Sequence, residues 1–221
     1  MCGRFALYTT EEELARCFDL KQSVTLDPRF NIAPSQQIPI IRHTDKNRLS
    51  MVRWGLIPHW SKDEKIGNKL INARAETLHE KPSFRDAFKS RRCLIPAKGF
   101  YEWKRDGELK RPYLIRMKDK SLFAIAGLWE SWRNLKEWKD IETCAIITTE
   151  ANGIVGKIHD RMPVIIPFES IGLWLSSASD GQDLSGFLRP YSPFKMVAYP
   201  VSGMVNSPKN EGLGCIKRVE Y

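Results

Sequence analysis

No apolar run in this sequence approaches the roughly 18 residues that a membrane span requires. The opening MCGRFALYTT lacks the long apolar stretch of a secretory signal. The expectation is a soluble, cytoplasmic protein with no membrane partner, nucleoid-associated if bacterial. Cysteine is sparse: Cys2, Cys17, Cys93, Cys144 and Cys215 are odd in number and widely spaced, with no C-x-x-C pair. That pattern argues against both a disulfide framework and a zinc ribbon. A Walker loop, a dinucleotide fingerprint and an HExxH motif are also missing. Nucleotide hydrolysis, hydride transfer and zinc proteolysis therefore lack support, and neither a metal nor another cofactor is expected. With no repeat, low-complexity tract or Pro/Gly/Ser-rich linker, the 221 residues are expected to form a single domain, 1–221.

What is present begins with charge. Thirty-five Lys and Arg against 26 Asp and Glu give a net charge of +9, which favours a polyanionic partner. Nucleic acid fits better than a membrane surface, because no basic amphipathic helix carries a long apolar face. Part of the excess is local: Arg85, Lys89, Arg91 and Arg92 lie together against one acid, Asp86.

Helix signals are few. Thr9 with Glu12 reads as a capping box for a helix over 9–20, with Leu14, Cys17 and Phe18 on one face. Ser83 with Asp86 repeats the signal before Phe84, Ala87 and Phe88. Further helices are expected through 150–158 and around Ile171, Trp174 and Leu175. Strand signals are more numerous, at 37–42, 50–54, 93–103, 112–118, 121–130, 142–149, 163–166 and 195–201. Asp106-Gly107 marks a hairpin connection. Without βαβ alternation, the pattern predicts an α+β fold with a curved, mostly antiparallel, barrel-like sheet and peripheral helices.

Chemistry concentrates in four places. Loss of Met1, which is common before a small side chain, would give Cys2 a free α-amine beside its thiol. An aldehyde condenses with such an amine to an imine, and the thiol closes a five-membered thiazolidine ring; an internal cysteine, whose nitrogen is an amide, cannot. The amine titrates at about 7.7–8.0 and the thiol near about 8.5, so part of the amine is free at neutral pH. In RRCLIPAKGFYEW at 91–103, strand alternation puts Phe100 and Glu102 on one face and Tyr101 and Trp103 on the other. A carboxylate among aromatics has a raised pKa and suits general acid–base work. His159, Asp160 and Arg161 stand at an expected helix-to-strand junction, where functional groups concentrate. Asn72 and Arg74 add an amide and a guanidinium. Taken singly, each segment also reads as ordinary surface or core.

Taken together, the segments resemble the SRAP (SOS response-associated peptidase) family. The resemblance is carried by MCGRF at 1–5, FNIAPS at 30–35, RWGLIPHW at 53–60, NARAET at 72–77 and KPSFR at 81–85. It continues through RRCLIPAKGFYEW at 91–103, AGLWE at 126–130, HDRMPVII at 159–166 and VN at 205–206. It implies a protein that captures abasic sites in single-stranded DNA covalently at Cys2, with self-processing of Met1 and latent lyase chemistry. It further implies that Glu102 assists proton transfer, that Asn72 positions the amine, and that His159 acts near the reacting sugar. Arg74 and Arg161 are implied to contact phosphates and Trp60 to line the DNA channel. Arg4 and Arg85 are expected to extend the basic surface, and Pro34 to line the site.

Two other readings stay open at this point. One is a thiol peptidase acting on other proteins, with Cys2, His159 and Glu102 or Asn72 as its catalytic set. The other is a non-covalent binder of single-stranded DNA or modified bases. A monomer is expected, since one site suffices for any of the three.

Overall fold

The structure, a computed structural model, describes residues 2–22, 25–135, 137–176 and 184–220. Met1, on which the processing expectation falls, lies outside the described residues. Two curved sheets carry the fold. The first runs in the order β13 (Met196–Pro200), β8 (Leu109–Met117), β7 (Gly99–Asp106), β1 (Phe5–Leu7) and β2 (Arg29–Ile32), antiparallel throughout. The second contains β3 (Gln37–His43), β4 (Asn47–Trp54), β6 (Arg92–Ala97), β9 (Phe123–Asn134) and β10 (Lys139–Glu150). These five close on themselves, since β10 pairs with β4 at one edge and with β9 at the other. The β4–β10 contact is parallel and the remaining four contacts of the ring are antiparallel. The expected α+β class with a mostly antiparallel, barrel-like sheet is what the chain forms.

The far half of β10 is a branching point. Short β5 (Asn72–Arg74) pairs with it in parallel, Thr148 facing Arg74, and β11 (Arg161–Pro163) pairs antiparallel, Glu150 facing Arg161. Two-residue β12 (Ile165–Ile166) then joins β9. Among the described residues, three short α-helices lie outside the sheets: α1 (Glu11–Phe18), α2 (Arg85–Ser90) and α3 (Ile171–Leu175).

Local signals explain most of these boundaries and correct several expectations. Thr10 rather than Thr9 caps α1, accepting from the Glu13 amide, while Thr9 donates to the Glu13 carboxylate. Leu14 and Phe18 are buried, each contributing about 1.5–3 kcal/mol of apolar burial. Ser83 does not cap α2, whose N-cap position is Phe84. Residues 150–158 hold no α-helix: Glu150 ends β10, and Asn152 Oδ1 accepts the amides of Ile154 and Val155 at 3.0 Å. This side-chain turn competes with helix formation. The expected strand 93–103 is two strands in different sheets, β6 and β7, meeting at Lys98. The Asp106-Gly107 hairpin is present, with Gly107 at φ +60°. Gly55 also requires glycine: its φ is +134°, and a Cβ there would sit 2.6 Å from the Gly67 carbonyl oxygen.

The main core packs both sheets together. A second cluster of Ala6, Tyr101, Leu114, Val201 and Val205 lies on the other face of the first sheet, under the C-terminal segment. Asn31 ties that segment down, donating through Nδ2 to the carbonyls of Ser207 (2.9 Å) and Asn210 (2.8 Å). Among the described residues no helix is long and apolar enough to cross a membrane.

Candidate active site

The β1–β7 ladder places the chain's second residue. Phe5 faces Phe100 and Ala6 faces Gly99, and the Tyr101 amide donates to the Arg4 carbonyl at 2.9 Å. Carrying that register back toward the start of the chain sets Cys2 beside the Glu102 end of β7. Asn72, at the start of β5, donates through Nδ2 to the Cys2 carbonyl at 2.9 Å. The Asn72 Oδ1 is buried without a hydrogen-bond partner among the described residues. His159, just before β11, brings Nε2 to 3.9 Å from Glu102 Oε2. Cys2, Asn72, Glu102 and His159, spread over 158 positions of sequence, thus converge at the end of β10.

Electrostatics follow from burial. Cys2 is fully buried, and burial, with the negative charge of Glu102 adding to it, pushes its thiol well above the ordinary range. Glu102 is 3% exposed, and burial lifts its carboxyl to about 7, with Asp160 acting in the same direction. A carboxyl near 7 holds or releases a proton at neutral pH. Burial pulls His159 below its usual value, so the ring is neutral at pH 7. Its Nδ1 accepts the Arg161 amide at 3.0 Å yet lies 2.8 Å from Asp160 Oδ1. One lone pair cannot serve as acceptor while the same nitrogen donates. The Arg161 amide is fixed in the backbone, whereas the Asp160 side chain is 84% exposed. The backbone bond therefore sets the tautomer, and the ring proton sits on Nε2, facing Glu102.

The arginines divide into distinct environments. Arg161 makes a two-pronged pair with Glu76 (2.6 and 2.9 Å) and donates to the Thr148 carbonyl at 2.7 Å. Arg74, exposed, faces the same Thr148 across the β5–β10 ladder. These two flank the four-residue cluster. Arg4 does not extend an open basic surface: its Nη1 donates to Asn31 Oδ1 (2.6 Å) and the Val205 carbonyl (2.7 Å), and its guanidinium lies over Trp103. Arg85 is exposed at the start of α2, 3.5 Å from Asp86. Of its basic neighbours, Arg92 is buried and donates to the carbonyls of Phe88, Lys89, Trp174 and Ser176. Arg91 pairs with the buried Glu130 at 2.9 Å. Much of that run's charge therefore serves the fold.

Pro34 opens the turn of Pro34-Ser35, whose Ser35 adopts φ 69°. Trp60 is 50% exposed and lines a separate cavity of about 740 Å³ with Trp132, Arg133 and Leu135, a lining that includes none of the four clustered residues. Sequence reasoning missed Glu76 and Glu130, which orient Arg161 and Arg91. Glu76 sits inside NARAET, but its partner is 85 residues away and no local pattern reveals it. Among the described residues, no group of three or more His, Cys, Asp or Glu could hold a metal ion.

A closed β-barrel joined to a second sheet, with a cysteine at position 2 held against Asn, Glu and His, defines a class of cysteine-centred site built from both sheets. The family model for SOS response associated peptidase (SRAP) matches residues 1–208, and the chain belongs to that family. It is 50% identical to the abasic site processing protein YoqW of Bacillus subtilis, over 95% of this chain and 96% of that one. Against the abasic site processing protein YedK of Escherichia coli it is 29% identical, over 99% and 100% of the two chains. A crystal structure of a protein from Bacteroides thetaiotaomicron superposes with a TM-score of 0.90 at 29% identity, covering 99% of this chain and 100% of that one.

Proposed function

We propose that this chain processes abasic sites in single-stranded DNA by forming a covalent bond at Cys2 once Met1 has been removed. The whole of 1–221 acts as one domain and as a monomer. The observation that carries this reading is the convergence of Cys2 and Asn72 with a Glu102 carboxyl near 7 and a neutral His159. The relatives' name, abasic site processing protein, supports the abasic-site part of this reading.

The chemistry runs in a defined order. An abasic deoxyribose is mostly a closed hemiacetal. Protonated Glu102 gives its proton to the ring oxygen, the 1′ hydroxyl loses its own, and the aldehyde opens. The Cys2 amine adds to C1′, and water leaves to form an imine. The thiol then adds to the imine carbon: the sulfur–carbon bond forms and the thiol proton ends on nitrogen. The net reaction joins protein and DNA with loss of one water. The competing path removes a C2′ proton and expels the 3′ phosphate, which is strand cleavage; ring closure diverts the imine from it. Asn72, bound to the Cys2 carbonyl, fixes the direction of the amine, and His159 Nε2–H stabilises negative charge developing at the sugar oxygens. Arg74 and Arg161 meet phosphates without reading sequence, Arg85 adds outlying positive charge, and Trp60 offers a stacking surface. Arg4 supports the site indirectly by securing the segment that contains Val205 and Asn206.

A thiol peptidase needs only the Cys2 sulfur, whereas thiazolidine formation also needs its free α-amine. The discriminating experiment retains one extra residue before Cys2. With the amine blocked, crosslinking to abasic DNA is lost while DNA binding persists; irreversible crosslinking by blocked protein would overturn the proposal.

A further inference from the structure

Beside the four-residue cluster lies a groove of about 430 Å³, in the size range of small-ligand sites. One wall is the sheet face that carries Glu102. Glu102 stands directly across from Tyr113 in the β7–β8 ladder, and opposed residues project to the same face. Lys104, two positions along β7, projects there too. β13 adds Ala198. The other wall is Ile154, Lys157 and Ile158, the turn that leads directly into His159. The groove is therefore continuous with the proposed reaction centre at two points, Glu102 to Lys104 along a strand and Ile158 to His159 along the chain.

Its chemistry is consistent from end to end. The floor is apolar, Tyr113 supplies an aromatic ring, and two exposed lysines stand at the rim. The lining contains no carboxylate among the described residues. Arg111, opposite Lys104 in the ladder, is ion-paired with Asp106 at 3.1 Å, so the cationic rim rests on the two lysines. An apolar and aromatic floor with a cationic rim suits a base with its phosphates. A strand whose abasic sugar sits between Glu102 and His159 has this groove open beside it for a neighbouring nucleotide.

We propose that the groove is a subsite for the nucleotide next to the abasic residue, with the base against Tyr113 and its phosphates at Lys104 and Lys157. This rests on the proposed abasic-site reading and extends it to residues that reading does not use.

The test measures binding to a single-stranded oligonucleotide with a tetrahydrofuran abasic analogue, which has no aldehyde and cannot crosslink. The variants are Lys104→Glu with Lys157→Glu, and Tyr113→Leu. Lys110→Glu is the control, because Lys110 pairs with Arg105 on the opposite face of the same hairpin and changes charge by as much as each of the two groove lysines does singly. The double variant is expected to bind at least about tenfold more weakly, with a salt slope shallower by roughly 1.4, or about 0.7 per lost phosphate contact. Tyr113→Leu is expected to lose about tenfold, and Lys110→Glu less than about twofold. Shortening the oligonucleotide to remove the nucleotides flanking the analogue should bring wild type and double variant together. An effect no larger than that of Lys110→Glu, or one that persists on the shortened oligonucleotide, overturns the subsite. Separately, a wild type that binds the analogue but never crosslinks authentic abasic DNA overturns the parent reading, while the analogue comparison still decides the groove.

Discussion

His159 Nε2 stands 3.9 Å from Glu102 Oε2, so a neutral imidazole whose Nδ1 accepts a backbone amide turns its one N–H toward a buried carboxyl. Burial acts on the two groups in opposite directions: it lifts Glu102 to about 7 and lowers His159. Near neutrality the Glu102 carboxyl can therefore hold or give up a proton, which is what opening a sugar ring and then forming an imine requires.

Glu102→Gln keeps the shape and removes the titrating proton. Crosslinking is expected to slow by about 10²–10⁴-fold, and the inflection near pH 7 in the rate profile should vanish. Single-turnover kinetics across pH 5–9 check this.

The same residue makes a stability prediction. A carboxyl whose folded pKa is raised binds its proton more tightly when folded, so the folded state is favoured below that pKa and loses stability as pH rises from about 4.5 to about 7. The penalty at pH 8 is of order 3 kcal/mol, because each tenfold gain in proton affinity corresponds to roughly 1.4 kcal/mol. Glu102→Gln should therefore be more stable than wild type at pH 8, with the difference narrowing toward pH 5, as followed by denaturant unfolding.

Asn72→Ala removes the donor to the Cys2 carbonyl. Crosslinking should fall at least about tenfold, while stability changes by only about 1 kcal/mol. The loss should appear in the rate at saturating DNA rather than in affinity.

Arg161→Lys keeps the charge but cannot reproduce the fork held by Glu76 and Thr148. DNA affinity is expected to drop several-fold, and Glu76→Gln should produce a smaller loss in the same direction. Arg74→Gln should instead shallow the salt slope by about 0.7.

Arg92→Ala should cost at least about 2 kcal/mol of stability, because four backbone carbonyls lose their donor. Its DNA affinity, measured well below the melting temperature, should stay near that of wild type.

What the sequence revealed and what it hid follow from range. The β7–β8 hairpin was legible because Asp106-Gly107 and the alternation around Glu102 are local signals. The Phe100/Glu102 and Tyr101/Trp103 faces are those observed, with Phe100 in the main core and Tyr101 and Trp103 in the second cluster. Short β1, β2 and β5 were not legible, since three or four residues carry too little pattern and owe their extension to their neighbours. The run 93–103 is rich enough in apolar and aromatic residues to read as one strand, yet Lys98 and Gly99 interrupt it where β6 ends and β7 begins. Arg91 and Arg92 count as surface charge in composition, yet tertiary contacts consume them. The residue types of the site were visible, but Glu76, which holds Arg161, lies where only the fold brings it.

The central claim is tested most directly by intact-mass spectrometry and a denaturing gel after mixing the protein with single-stranded DNA that holds one abasic site. The predicted result is a heat-stable adduct equal to protein without Met1 plus DNA minus one water, absent for Cys2→Ala. Protein confirmed to lack Met1 that gives neither adduct nor strand cleavage would contradict it.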